Sequence, residues 1–165
     1  MTVGTTLEEL LAWNRESAHF WNGHFVANPA LLELPCGIGG TANVQDLLRH
    51  VWGVELIWAL RTAGLPEVDR NGLPAGPLDA LFALHLKADA MFNGLVNEAS
   101  WNWEETLTLD RPFLAPELRT FSRRKAFVHA MLHSQRHWAQ LATLLRVAGF
   151  PAGFKGDFLL SQVMK

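Results

Sequence analysis

Four stretches of this chain repeat apolar residues at alternating three- and four-residue steps, and glycine or proline follows three of them closely. That period stacks apolar side chains on one face of a helix, so each stretch reads as an amphipathic helix with a stripe to bury. Four such stripes with no sustained strand pattern between them predict an all-α fold. It is a four-helix bundle with a long crossover before the last helix.

The first pattern, over residues 7–25, places Leu7, Leu11, Asn14, Ala18, Trp21 and Phe25 on one side. Thr6 and Glu9 are spaced as a capping box at its start, and Pro29 should stop it. A second pattern follows from an N-cap at Thr41 or Asn43 through Leu47, Val51, Val54 and Trp58, giving a helix over about 42–63 before Gly64 and Pro66. "PEVDRNGLPAGP" is turn chemistry throughout. Pro77 suits the first turn of a third helix over about 78–99, marked by Leu81, Leu84, Ala88, Met91 and Leu95. The crossover, "WNWEETLTLDRPFLAPEL", alternates Trp103, Glu105, Leu107 and Leu109 and contains Pro112 and Pro116, so it reads as extended with room for a short strand. The fourth helix begins near Thr120 or Ser122 and ends at Gly149-Phe150-Pro151.

At 165 residues the chain is expected to form a single domain, 1–165, burying roughly 70% of its unfolded surface. Its formal net charge is −2 and its basic cluster, Arg123-Arg124-Lys125, is short, so nucleic acid is not an expected partner. The lone Cys36 forms no internal disulfide, and the opening Met1-Thr2-Val3-Gly4-Thr5-Thr6 lacks a secretory pattern; the expectation is a cytoplasmic protein. No run is apolar enough for a membrane span, so no membrane partner is expected.

The fourth helix carries three histidines at four-residue spacing, His129, His133 and His137. Its inner stripe reads Ala130, His133, His137, Leu141, Leu144 and Ala148, with Phe127, Met131, Trp138, Ala142 and Leu145 flanking it. His133 and His137 therefore point inward, while His129 shares a more polar side with Leu132, Arg136 and Gln140 and reads as a boundary residue. Residues four apart on a helix are about 6 Å apart, and those eight apart roughly 12 Å, so one ion can bridge neighbours only. A third ligand must come from another helix. His50 lies with Leu47, Val54 and Ile57, and His85 with Leu81, Ala88 and Phe92; both are open as that ligand, whereas His19 and His24 fall off the best stripe. Burying several imidazoles without a common partner is costly, and a shared cation removes the cost. Neutral imidazoles suit Zn²⁺, with nickel, iron and manganese also compatible. Ligands of this type must be neutral, so metal affinity is expected to fall as pH drops through about 6.

Other motifs fail. Ser134 stands where a zinc protease helix needs Glu, and Glu16-Ser17-Ala18-His19 matches the di-iron Glu-x-x-His pattern only once. Cys36, in "LPCGIGG", has no neighbouring base and reads as a loop thiol. Glu55, five residues after His50, could orient an imidazole, sit at the rim or be solvated. The chain has no tyrosine, so a protein acid or base must be His, a carboxylate or Lys.

Two blocks, "GGTANVQDLLRHVWGVELIWALRTAG" (39–64) and "HAMLHSQRHWAQLATLLRVAGF" (129–150), with Asp157-Phe158 in the tail, resemble the DinB-like, damage-inducible helical bundle proteins. The resemblance covers the whole chain in outline, and the order and spacing of the blocks carry it. It implies three metal ligands at His50, His133 and His137, and so selects His50 over His85. It also implies a divalent metal, zinc or nickel, and a low-molecular-weight thiol as cosubstrate in an S-transferase or isomerase acting on a small electrophile. The chain departs from the family wording after the last ligand, reading His137-Trp138-Ala139-Gln140, and bulky Trp138 is expected to narrow the site. Trp52, Trp58 and Trp138 are candidates for the mouth or for plain core. Two other readings stay open: a non-enzymatic metal- or ligand-binding bundle, able to pair as a homodimer through an apolar helix face, and a bundle whose histidines are structural.

Overall fold

The computed structural model describes residues 4–110 and 115–163; Pro112 of the crossover and the opening residues Met1, Thr2 and Val3 lie outside them. Four helices form, where the apolar period places them: α1 Leu7–Ala27, α2 Val44–Thr62, α3 Leu78–Val96 and α4 Arg123–Val147.

Local chemistry sets their ends. The Thr6 hydroxyl accepts from the Glu9 backbone N–H at 3.2 Å and Glu9 Oε2 accepts from the Thr6 N–H at 2.7 Å, closing the expected capping box. Asn43, rather than Thr41, caps α2 by accepting from the Asp46 N–H at 2.9 Å. Ser122 caps α4 through the Lys125 N–H, while Thr120, the other candidate, lies in a strand. α3 stops at Val96, earlier than expected, where Asn97 turns its amide back to donate to the Asn93 carbonyl at 2.7 Å. A side chain that competes for helix carbonyls in this way favours an ending over continuation.

Helix α2 packs on α3 and α4, and α1 packs on the same two from the other side, so α1 and α2 face each other diagonally across the core. Trp21, Trp52 and Trp138 are fully buried at the crossing, with Trp138 5.9 Å from each of the other two, ring centre to ring centre. Phe92 of α3 meets Phe127 of α4 edge to face at 5.0 Å. Burial of each such phenylalanine contributes roughly 1.5–3 kcal/mol. The crossover supplies strand β1, Thr106–Thr108, and the residues before α4 supply β2, Thr120–Ser122. They pair antiparallel with Leu107 opposite Phe121. No helix among the described residues is long and apolar enough to cross a membrane.

Candidate metal centre

Histidine pairs four residues apart share a helix face, and α4 uses this to aim two rings at α2. The ring centres of His133 and His137 are 4.5 Å apart, and His50 completes a triangle at 5.2 Å from His133 and 5.0 Å from His137. Each ring offers one nitrogen such that all three lie within 4.8 Å of one another. Zinc–nitrogen bonds are about 2.0–2.1 Å long, so modest rotation of the side chains draws the set onto one ion. His137 is buried, whereas His50 and His133 are partly buried, which leaves one side of the triangle open.

Two features say that the group suits a cation. Nδ1 of His133 and Nδ1 of His137 are buried with no hydrogen-bond partner among the described residues, an expensive state for a polar atom. The rings are held neutral: burial, then the neighbouring His137, Arg70 and Arg136, lowers His50 to about 4. Burial and the other two rings, with Arg136 and His129, lower His133 to about 3. His137 is lowered by burial and Arg136, against the opposing pull of a side-chain hydrogen bond to Gln140. Neutral imidazole is the form that binds a metal, so the arrangement can hold one without first shedding protons.

The surroundings fix the rings. Gly39, in the loop before α2, adopts φ +64°, and a β-carbon there would lie 3.7 Å from Cε1 of His137, so this left-handed turn rests against the ring. Arg49 reaches out of α2 and donates to the carbonyls of Arg70, Leu73 and Pro74 at 2.8–3.1 Å, pinning the 70–74 loop beside His50. Gly53 makes room for that loop, since a β-carbon there would meet Leu73 Cδ1 at 2.6 Å. Between loop and helix lies a hollow of about 330 Å³ bounded by Thr41, Asp46, Arg49, His50 and Arg70. Arg136 brings Nη2 to 3.4 Å from Nε2 of His137.

His129 stands on the far side, exposed as expected, 6.0 Å from the His133 ring and edge-on to Trp58 at 4.9 Å. It shares with Trp58, Leu109, Leu118 and Phe121 a second, apolar hollow, also of about 330 Å³. Trp58 thus lines this second hollow, whereas Trp52 and Trp138 are core. Trp138 turns away from the hollow beside His50, and the expected narrowing does not occur there.

His85 is fully buried but joins a different group. Its Nδ1 lies 3.2 Å from both carboxylate oxygens of Glu55, whose Oε1 also accepts from Asn14 Nδ2 at 2.7 Å. Glu55 therefore serves His85 rather than the trio. Five residues along a 3.6-period helix carry a side chain roughly 140° round from His50, which turns it toward α1 and α3. Asn14 on an otherwise apolar stripe was the sequence signal for this cluster. His19 and His24 stay on α1, His19 exposed and edge-on to Phe82, His24 stacked on Phe20. Cys36 is buried, with the Thr41 hydroxyl 3.4 Å from its sulfur. Compared with known proteins, the chain matches no family model and no curated protein.

Proposed function

We propose that the chain is a divalent-metal-dependent enzyme of the DinB-like type, with His50, His133 and His137 as the ligands and zinc or nickel as the ion. The observation that carries the proposal is the convergence of three neutral imidazoles, one from α2 and two from α4, within 4.8 Å. The buried Nδ1 atoms of His133 and His137, which have no hydrogen-bond partner among the described residues, support it.

The reaction is thiol transfer to, or thiol-assisted isomerisation of, a small electrophile, with a low-molecular-weight thiol as cosubstrate. When bound, a divalent ion supplies Lewis acidity, which lowers the pKa of a coordinated thiol and raises the thiolate fraction at neutral pH. In the transfer, the sulfur electron pair forms a carbon–sulfur bond, the leaving group departs with the electrons of the broken bond, and the thiol proton passes to solvent. Trp58, Leu118 and Phe121 offer an apolar wall for the electrophile beside His129. His50, His133 and His137 hold their shared orientation because α2 and α4 pack directly. We place the protein in the cytoplasm, without nucleic acid or membrane as partner.

The test is elemental analysis of protein purified without a histidine tag, paired with turnover of thiol–electrophile mixtures. One divalent ion per chain is expected, with turnover lost on chelation, restored on re-addition and absent in His133→Ala. Full activity in His133→Ala overturns the proposal. Stoichiometric metal with no turnover of any such pair leaves a metal-binding bundle and removes the enzyme.

A further inference from the structure

Two guanidinium groups beside the histidine trio pair with no carboxylate among the described residues. Among the described residues, neither Arg70 nor Arg136 forms an ion pair, although Arg15, Arg61, Arg123 and Arg124 each do. Both lie close enough to the trio to oppose a proton on His50. Arg136 touches Nε2 of His137 at 3.4 Å, and Arg70 borders the hollow that His50 itself lines.

The nearby acids form no ion pair with these two arginines. Asp46 lines the same hollow, but Arg49 lines it too, and its guanidinium is spent on the carbonyls of the 70–74 loop. Asp69 caps the Asn71 N–H, and Glu67 binds Arg61 through two hydrogen bonds. A divalent ion would add further positive charge. Like charges gathered without a partner raise the energy of the empty site, and a bound oxyanion relieves it.

We propose that the oxyanion end, carboxylate or phosphate, of a small substrate binds where the hollow beside His50 meets the histidine trio, with Arg70, which lines the hollow, and Arg136, which touches the His137 ring, as its recognition residues. The inference rests on the reading of the trio as the reactive centre and names the chemical class of what binds there. Arg49 acts as a positioning residue, since it holds the loop that presents Arg70. The hollow beside His129 is a separate one with a mostly apolar lining, so the two hollows suit chemically different groups.

The test is calorimetric titration of the untagged protein, zinc-loaded and metal-stripped, with succinate, inorganic phosphate and the uncharged diamide of succinic acid. An anion should bind the zinc-loaded protein at least about tenfold more tightly than the diamide, as one or two charged hydrogen bonds allow. Arg70→Met and Arg136→Met should each cut that preference about tenfold, and added salt should weaken it. Arg124→Met, whose side chain pairs with exposed Glu104, should leave it unchanged. Whichever anion binds more tightly identifies the oxyanion.

Equal affinity for anion and diamide overturns the inference, as does a preference that survives in the Arg70→Met, Arg136→Met double variant. Zinc content measured on the same samples separates the two claims. Zinc bound without anion preference sinks only the oxyanion site; anion preference without zinc sinks only the metal centre. Both arginines are exposed, so the variants should retain the wild-type melting temperature, and a circular dichroism melt checks this.

Discussion

Glu55 on α2 grips His85 on α3 through both carboxylate oxygens at 3.2 Å, and neither side chain is more than 1% exposed. Burial alone lowers the imidazole, but attraction to Glu55 and the hydrogen bond with it, helped by Asp89, outweigh burial and raise His85 above its ordinary value. A raised folded-state pKa gives stability that is complete below the unfolded value, near 6.5, and is lost as pH climbs through the folded one. Glu55→Gln should therefore cost about 3–5 kcal/mol near pH 6, the usual penalty for orphaning one member of a buried pair. The cost should shrink in alkaline solution. Urea midpoints of wild type and variant across that range decide it, and a gap that widens with pH would contradict the ion pair.

The same pair lies beyond what local sequence signals specify. Helix positions followed from a local cause, the 3.6-residue period and its caps: Thr6–Glu9 closed as spaced, and α2 fell within two residues of its expected start. His133 and His137 were legible for the same reason, because four-residue spacing fixes a shared face. Partners on different helices carry no such local mark. The spacing left His50 and His85 open as the third ring, and Glu55 was set beside His50 when its angular position takes it to His85 and Asn14. Strand β2 was missed because three residues against a helix cap give too little alternation to read. Arg70 is placed by a loop that Arg49 ties down from 21 residues away, so its location depends on tertiary packing.

Gly39→Ala tests how the loop before α2 seats the site. A non-glycine residue at φ +64° costs about 1–2 kcal/mol, but a β-carbon there would be 3.7 Å from His137, an ordinary contact. The melting temperature should fall while the metal content of purified protein stays at wild-type level. Loss of metal at unchanged stability would mean that the ring, rather than the backbone, sets the need for glycine.

Trp138→Ala should be the most damaging single change in α4. The ring is fully buried between Trp21 and Trp52, and truncating a core aromatic of this size costs about 3–5 kcal/mol. His137 is its neighbour in sequence, so metal retention should weaken along with stability. Trp138→Phe keeps part of the packing and should fall between the two in chemical denaturation. A Trp138→Ala variant within 1 kcal/mol of wild type (a loss about the size of one buried methylene) would show that this core closes around the gap.

The pH response of the histidine trio should run opposite to that of His85. With His50 held at about 4 and His133 at about 3, the folded rings refuse protons that the unfolded chain accepts near 6.5. Depressed folded-state values give stability that is present above about pH 6.5 and drains away as pH falls through the folded ones, so metal-free protein should weaken in acid. The same refusal protects metal binding. Free imidazoles would lose an ion as pH passes about 6, the behaviour that spacing alone predicts, because protons then compete for the ligand nitrogens. At His50 and His133 there are few protons to displace until pH nears 4, so zinc affinity should fall less between about pH 8 and about 6 than free imidazoles would allow and drop steeply below about 5. Competition against a coloured chelator at each pH measures it. A midpoint at the value of free imidazole would mean that water reaches all three rings and that burial does not protect the centre.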